Sequence, residues 1–584
     1  MTLVCAFLGL CGKMKKEVII VRKKPFPIGI EFYKKMIDKP YYYVDKTLMI
    51  KNLLDKGGEV NLFTRPRRFG KTLTLTMLKT FFECEVDRDG NAVDNSRYFR
   101  EMKIWQEGEE YRKEQGQYPV IFLSLKSAKQ PNYGMAYHVL RDAVISEFER
   151  HSYVLEGLKL SDSQKEKYKL LTSRKGEEGD YVTSLQFLSK CLAAWHGRNV
   201  IILLDEYDVP LENAHFQGFY PEMADFLRSF FESAMKTNDN LEFAVVTGCL
   251  RISRESIFTG LNNLKAVSVL TRDYAEYFGF IEEEVQEMLK AYGIEQKMEE
   301  ARRWYDGYRF GDTEVYNPWS IVNYVETAVS DVNAFPRPYW SNTSSNSIIR
   351  ELIEAADPVV KQDVERLADG GTIEVEVHED ITYDDIYGSQ DNLWNFLFFT
   401  GYLKKVSERL EGQNIYLGMA IPNQEVLYVY RRTVMEWFEG QVKQKDFSRL
   451  YRALAEKDCP VIEQEINAQL IETISFYDYA EGYYHGFLAG LLRENKECAV
   501  RSNRESGNGR PDLVVYTLSV RGMAIIIEIK AAKKFEEMEA GCDAALAQIE
   551  EQNYQEEWRR IGYRNIIKYG ICFYRKECMV RVQA

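Results

Sequence analysis

Short apolar runs recur through the first half of the chain, each closed by polar residues and separated from the next by helical spacing. "VNLFT" (60–64), "PVIFLSL" (119–125), "NVIILLDEYD" (199–208) and "EFAVVTG" (242–248) are such runs. Apolar residues in a row, without alternation, suit strands buried on both faces. Between the first two, residues 71–83 place Leu73, Met77, Leu78 and Phe81 on one side of a helix. Strand and helix in alternation predict an α/β unit with a mainly parallel sheet. From about 276 to 455 the spacing is mostly helical, with a few short strands. After 460 a long helix leads into a β-rich end: "CAVRSNRE", "RPDLVVYT", "MAIIIEIKAA", a helix over 536–553, then "IIKYGICFYRK". The expected organisation is a tail (1–24), an α/β domain (25–275), a mostly helical linking region (276–459) and a C-terminal α/β domain (460–584).

A chain of 584 residues is too long for one core, in keeping with this division. Its 45% hydrophobic and 28% charged residues describe a folded, water-facing protein. A net charge of −13 excludes a chain that coats nucleic acid through its whole surface, but leaves room for a local basic groove. The ten cysteines are scattered, with no CxxC pair, which reads as reduced thiols in the cytoplasm. No run approaches the ~20 apolar residues of a membrane span, so no membrane partner is expected. "MTLVCAFLGLCGKMKKEVII" (1–20) carries its lysines after the apolar run, the wrong order for a signal peptide. Met14 is the expected first residue, with a lipid anchor at Cys11 as the alternative.

"FTRPRRFGKTLTLTML" (63–78) is the first stretch with chemistry in it. A phosphate-binding loop has Gly, four residues, then Gly-Lys-Ser/Thr. Gly70, Lys71 and Thr72 fit, while Arg65 stands at the first glycine. Such loops work because backbone N–H groups and a helix N-terminus converge on the phosphates. On that reading a side chain at Gly70 would block the approach, Lys71 reaches the β/γ-phosphates and Thr72 holds Mg²⁺. Pro66 stiffens the turn in place of the lost glycine. Arg65, Pro66, Arg67, Arg68, Phe69, Gly70, Lys71 and Thr72 are the candidate nucleotide contacts, against the plainer reading of a solvated basic loop. "VIILLDE" (200–206) is a buried strand ending in two carboxylates. Asp205 is placed to hold Mg²⁺ and Glu206 to polarise the attacking water. Thr247, ending the next strand, is a candidate γ-phosphate sensor; Arg251 and Arg254 read equally well as arginine fingers or as surface residues.

A second set lies near the end. If 511–516 and 523–530 form an antiparallel hairpin, the midpoint between Asp512 and Glu528 is residue 520, within "SVRG", the turn signal between them. The two carboxylates then face each other across the ladder. Glu528 and Lys530, two apart, point to one side of the strand. Two acids and a lysine suit metal-assisted phosphodiester hydrolysis, with Asp512 and Glu528 on the metal and Lys530 orienting the nucleophile. Gln548, on the following helix, is placed for a supporting contact. The plainer reading is an amphipathic strand with charged ends.

Several stretches together resemble the AAA-ATPase-like family of bacterial proteins. They are 27–54, "LFTRPRRFGKTLTLTML" (62–78), "LLDEYDVPL" (203–211), "SIFTGLNNL" (256–264), "WYDGYRF" (304–310) and "YNPWSI" (316–321). The resemblance implies that RPRRFGKT is a usual form of the loop, that ATP is bound, and that 41–46 ("YYYVDK") lines the base pocket, against the plainer reading of core aromatics with one salt bridge. "WYDGYRF" and "YNPWSI" are read as turns of a small lid. "SNRESGNGRPD", "IIIEIK" and 548–554 resemble the PD-(D/E)XK nuclease superfamily, in the branch that follows AAA-ATPase-like domains. Pro511 stands where that branch usually has an aromatic, which removes no catalytic atom. "EGYYHGFLAGLL" (481–492) resembles its first helix, implying Glu481 as a further metal ligand with His485 beside it.

The fold class expected is α/β: a P-loop AAA-like parallel sheet, a lid or winged-helix-like middle, and a restriction-endonuclease-like end. The function expected is an ATP-dependent nuclease using Mg²⁺, with Mn²⁺ able to replace it at the cutting site. DNA is the expected nucleic-acid partner, and self-association into a homo-oligomer is left open. The alternative is an ATP-switched interaction protein whose nuclease-like domain binds without cutting. A DNA motor is disfavoured, because no helicase-type motif series is present.

Overall fold

The computed structural model describes residues 23–583 except 88–89, 157–158, 252–256, 259–261, 341–357, 378, 380–382, 384–388, 433–446, 473–480, 493–497 and 503–510. The N-terminal readings at Cys11 and Met14 therefore lie outside the described residues. In the N-terminal domain five strands pair in parallel: β1 (Val60–Thr64), β2 (Val120–Ser124), β3 (Val200–Asp205), β4 (Leu241–Gly248) and β5 (Leu264–Val267). Their order is β2-β3-β4-β1-β5. β1 and β3 are buried at every position, which is why their sequences show no alternation. β5 was not expected: "LKAV" is short and mostly half-buried, and only pairing with β1 makes it a strand.

The register sets Thr64 beside Gly248 and Ser124 beside Asp205. The C-terminal ends of β1 to β4 thus share one edge, the side of an open parallel sheet where ligands settle. Helix α1 (Lys71–Phe82) starts there, after Gly70 at φ 83°.

The middle region is mostly helical, as the spacing predicts, with two small β units. One is the hairpin of β6 (Tyr308–Phe310) and β7 (Thr313–Val315). The other is an antiparallel sheet of β8 (Ile373–Glu376), β9 (Lys404–Glu411) and β10 (Asn414–Ala420), in the order β8-β10-β9. Helix α2 (Pro318–Ser330) begins at Asn317, whose side chain accepts the Ser320 N–H at the cap. One apolar cluster joins Val285, Leu289 and Tyr324 of this region to Phe26, Ile28, Tyr42 and Val44, ahead of β1. The segment before the first sheet and the region after it are thereby packed together.

The C-terminal sheet runs β11 (Cys498–Ser502), β12 (Leu513–Thr517), β13 (Met523–Ala531), β14 (Asn565–Tyr574) and β15 (Glu577–Gln583), neighbours in that order. All pairs are antiparallel except β13 with β14. Helix α3 (Glu481–Leu491) precedes the sheet, and α4 (Met538–Glu551) with a short helix (Gln555–Ile561) connects β13 to β14. A parallel pair needs such a crossover. β15 and the short helix were not expected. Among the described residues no helix is long and apolar enough to cross a membrane.

Helix α4 lies very close to the sheet at Gly570. A Cβ there would stand 2.3 Å from the Cys542 carbonyl oxygen and 3.0 Å from Leu546 Cγ. The first contact is backbone, so no rotamer change relieves it. Gly570→Ala is expected to lift α4 and to cost roughly 1–3 kcal/mol, as overpacking does. Thermal or urea unfolding checks this; an unchanged midpoint would show that the helix has room to move.

Candidate functional sites

At the loop edge of the first sheet a cavity of about 480 Å³ opens between the α/β domain and the helical region. Its floor is the loop and first turn of α1, from Arg67 through Thr72, with Glu206 beside them. Tyr42, Tyr43, Val44 and Lys46, from the 41–46 stretch, form one wall. Phe280, Pro318, Trp319 and Val322 form the roof. The two aromatic motifs of the middle region therefore do more than make turns. Trp319 reaches the cavity, and the Arg68 guanidinium lies 4.5 Å over its ring. Tyr308 and Phe310 hold the Phe69 ring at 4.9 and 5.2 Å.

Gly70 is required by its left-handed φ of 83°, and beyond its own chain neighbours no protein atom lies within 4 Å of where its Cβ would be. Nothing in the protein crowds it; the open space is the cavity. Arg65, expected among the nucleotide contacts, is corrected: its side chain does not line the cavity. It is fully buried, its Nη1 donates to the carbonyls of Thr64 and Val267 at 2.9 Å, and its guanidinium lies against Phe278 and Phe310. Pro66 is likewise buried and off the cavity. What these two residues offer is backbone. The Lys71 ammonium donates to the carbonyls of Arg65 at 2.8 Å and Pro66 at 3.0 Å. Arg67, at the cavity, is paired with Glu212.

Asp205 ties three elements together. Thr72 at the start of α1 donates to its Oδ2 at 2.8 Å, and Thr247 of β4 donates to its Oδ1 at 2.9 Å. Burial, and then the neighbouring Glu206, push its carboxyl up to about 6. Thr247 is buried and does not line the cavity, so its expected contact with a terminal phosphate becomes a contact with Asp205. Glu206 does face the cavity, from a left-handed φ of 53°. Arg251 pairs with Glu379 at 3.2 Å, and Arg254 lies outside the described residues. The reading of the sequence missed Asp208, whose Oδ2 accepts the N–H groups of Cys249 and Leu250 at 2.6 and 3.1 Å. The signal was present, as the last residue of "DEYD".

In the C-terminal domain the ladder from Leu513↔Ile527 to Tyr516↔Ala524 has the register expected from the turn, so Asp512 falls opposite Glu528. The Asp512 N–H reaches Glu528 Oε2 at 3.4 Å, and the Ile529 N–H donates to Asp512 Oδ2 at 2.8 Å. Lys530 Nζ lies 3.7 Å from Glu528 Oε1. Gln548 of α4 donates to that same oxygen and sits 3.5 Å from the Tyr554 hydroxyl. Glu528 is 1% exposed, and a carboxylate so buried needs these partners. Burial first, and the nearby carboxylates after it, raise the Tyr554 hydroxyl above its ordinary value.

His485 of α3 lies 2.9 Å from both the Asp512 carbonyl oxygen and Ser502 Oγ, supporting the strand that carries Asp512. Glu481 begins the same helix one turn earlier, and its side chain lies outside the described residues, as does 503–510. Among the described residues no three Asp, Glu, His or Cys gather as a metal cage. The pair of hard oxygen donors at Asp512 and Glu528 fits a cation such as Mg²⁺, which keeps several waters and takes only one or two carboxylates.

The state of Asp205 makes a testable difference to stability. Its folded pKa, about 6, lies above the ordinary 3.8, so folding disfavours the charged form. The cost is fully present above pH 6 and shrinks as pH falls towards 3.8. Asp205→Asn removes it. The ligand-free variant in EDTA is expected to be more stable than the parent by on the order of 2 kcal/mol at pH 8, and by less at pH 5. Denaturant titrations at the two pH values check this; an equal shift at both would mean that the carboxyl is not perturbed.

Comparison with known proteins finds one family match in each domain. Residues 27–258 match the family described as "Predicted AAA-ATPase", and residues 479–583 match the PD-(D/E)XK nuclease superfamily. A protein of Azotobacter chroococcum mcd 1, described as an uncharacterized protein in the vnfD 5′ region, is 26% identical over 558 residues. That alignment covers 92% of this chain and 95% of that protein. Lys71, Thr72, Asp205 and Glu206 fall within the first matched stretch, and Asp512, Glu528, Lys530 and Gln548 within the second. The chain therefore carries an AAA-ATPase-like domain followed by a domain of the PD-(D/E)XK nuclease superfamily.

Proposed function

We propose that this protein binds and hydrolyses ATP at the N-terminal cavity and thereby licenses metal-dependent cleavage of nucleic acid, DNA in particular, by the C-terminal domain. The observation that carries the reading is the meeting of Asp512, Glu528, Lys530 and Gln548 at one end of a single hairpin. In the N-terminal domain the Lys71 ammonium, held by two neutral carbonyls, would exchange them for phosphate oxygens, which make stronger charge-assisted bonds. The amides of the first turn of α1 would meet the same phosphates. Thr72 and Asp205, already in contact, would hold Mg²⁺, and Glu206 would orient water from the cavity side.

At the cutting site Asp512 and Glu528 would hold Mg²⁺ or Mn²⁺, with Glu481 as a third ligand. A bound divalent ion supplies an acidified water and a counter-charge for the leaving oxygen. Lys530 orients the nucleophile and Gln548 fixes the Glu528 carboxylate. A second reading, an ATP-switched protein that binds nucleic acid without cutting it, is favoured by one observation: the Asp512 and Glu528 carboxylates already accept protein N–H groups, from Ile529 and from Gln548.

Lys71→Ala is expected to abolish ATP binding in a calorimetric titration while the protein stays folded. Glu206→Gln should keep binding and slow turnover, since Asp205 and Thr72 are untouched. Equal loss of binding in both would mean that the roles are misassigned. Asp512→Ala and Glu528→Ala should each reduce plasmid cleavage by about 10²- to 10³-fold or more. Lys530→Ala should reduce cleavage without lowering divalent-ion affinity, because an ammonium is not a ligand. If the unaltered protein cuts nothing with Mg²⁺, Mn²⁺ and ATP, and binds no divalent ion through Asp512, the second reading becomes the better account.

A further inference from the structure

The edge of the C-terminal sheet that carries Asp512 and Lys530 carries a second set of groups. β13 and β14 run parallel, with Lys530 beside Cys572 and Ala531 beside Phe573, so both strands leave the sheet on that edge. Beyond the end of β13 the chain runs through Lys533, Lys534 and Phe535, all exposed, the phenylalanine by 52%. β14 turns into β15 through Arg575 and Lys576. The two exits are tied together. The Ala532 N–H donates to the Phe573 carbonyl at 2.8 Å, and the Phe535 and Tyr574 rings stand edge to face at 6.5 Å. The Arg575 guanidinium lies 5.3 Å over Tyr574, and the Tyr484 hydroxyl of α3 donates to the Arg575 carbonyl at 2.9 Å, holding the turn.

Cations beside an exposed ring have a specific use. A protein of net charge −13 attracts phosphate only where a local patch reverses the sign. Lys533, Lys534, Arg575 and Lys576 are four cations against the adjoining Glu536, Glu537 and Glu577, a local excess of one positive charge. The ordinary alternative is solvated lysines beside one stray aromatic. Position argues against it: three residues of chain put Lys533 within about 11 Å of Lys530. A strand of nucleic acid entering the acid pair from this side would cross these groups first. An exposed phenylalanine has little to offer a duplex, whose bases stack on one another, and much to offer an unpaired base.

We propose that this edge is a track for single-stranded nucleic acid, with phosphates on Lys533, Lys534 and Arg575 and an unpaired base stacked on Phe535. The proposal rests on the nuclease reading of the neighbouring site and names the form of its substrate. Its test is fluorescence anisotropy of a labelled 20-nucleotide oligothymidylate, and of a duplex of equal length, with the full chain in Ca²⁺. Phe535→Ala should weaken single-strand binding about tenfold, and Phe535→Trp should retain it. Lys533→Ala with Lys534→Ala should weaken it at least as much and flatten the slope of log affinity on log salt by about 1.4. Unchanged melting temperatures would show that the variants are folded. Unchanged single-strand affinity, or an equal loss for single strand and duplex in Phe535→Ala, overturns the proposal. If the unaltered protein cuts DNA while these variants bind it normally, this proposal alone fails. If it neither binds nor cuts, the nuclease reading fails with it.

Discussion

Taking a carboxylate out of water is unfavourable unless the protein returns the hydrogen bonds it loses, and both candidate sites are organised around that constraint. Asp205 is fully buried at the end of β3, and Thr72 and Thr247 donate to its two oxygens. Those donors sit on α1 and β4, so satisfying one side chain sets the start of the helix against two strands. Glu528 is nearly as buried, and its oxygens meet the Asp512 N–H, Gln548 and Lys530. There the same demand sets a hairpin against α4. Each carboxylate is thus both a chemical group and the point at which its domain is aligned.

The middle region belongs to the N-terminal site as much as to a separate lid. Its residues roof the cavity, and its aromatic rings pack on the loop: Tyr308 and Phe310 on Phe69, Trp319 against Arg68. The segment before β1 is packed into the same apolar cluster as helix α2. Anything that moves Trp319 or Tyr42 therefore changes the cavity, although neither residue lies in the loop. This gives a physical route by which the occupant of the cavity and the arrangement of the linking region can influence each other. The two share packed side chains instead of a flexible connection.

Much of the architecture could be read from the sequence because it rests on local and short-range rules. β1 to β4 are legible since strands buried on both faces are continuously apolar. Asp512 meets Glu528 as expected because a single turn sets the register of a hairpin, and side-chain direction then follows with period two. The edges were harder. β5 and β15 carry weak patterns, because an edge strand has little to bury and draws its identity from the neighbour it pairs with.

What only the tertiary structure decided is which polar side chains face a cavity and which face the protein. Arg65 sits in a basic loop and looks like a phosphate contact, yet its guanidinium lies between Phe278 and Phe310, more than two hundred residues away in sequence. Thr247 ends a strand at the right edge, but a buried carboxylate claims its hydroxyl. Trp319 gave no chemical signal until the fold brought it over the loop. Sequence by itself determined the types of groups and their spacing along the chain, which secondary structure converts into faces and registers. The destination of each side chain depends on what long-range packing leaves open to solvent, and that is set by the whole chain at once.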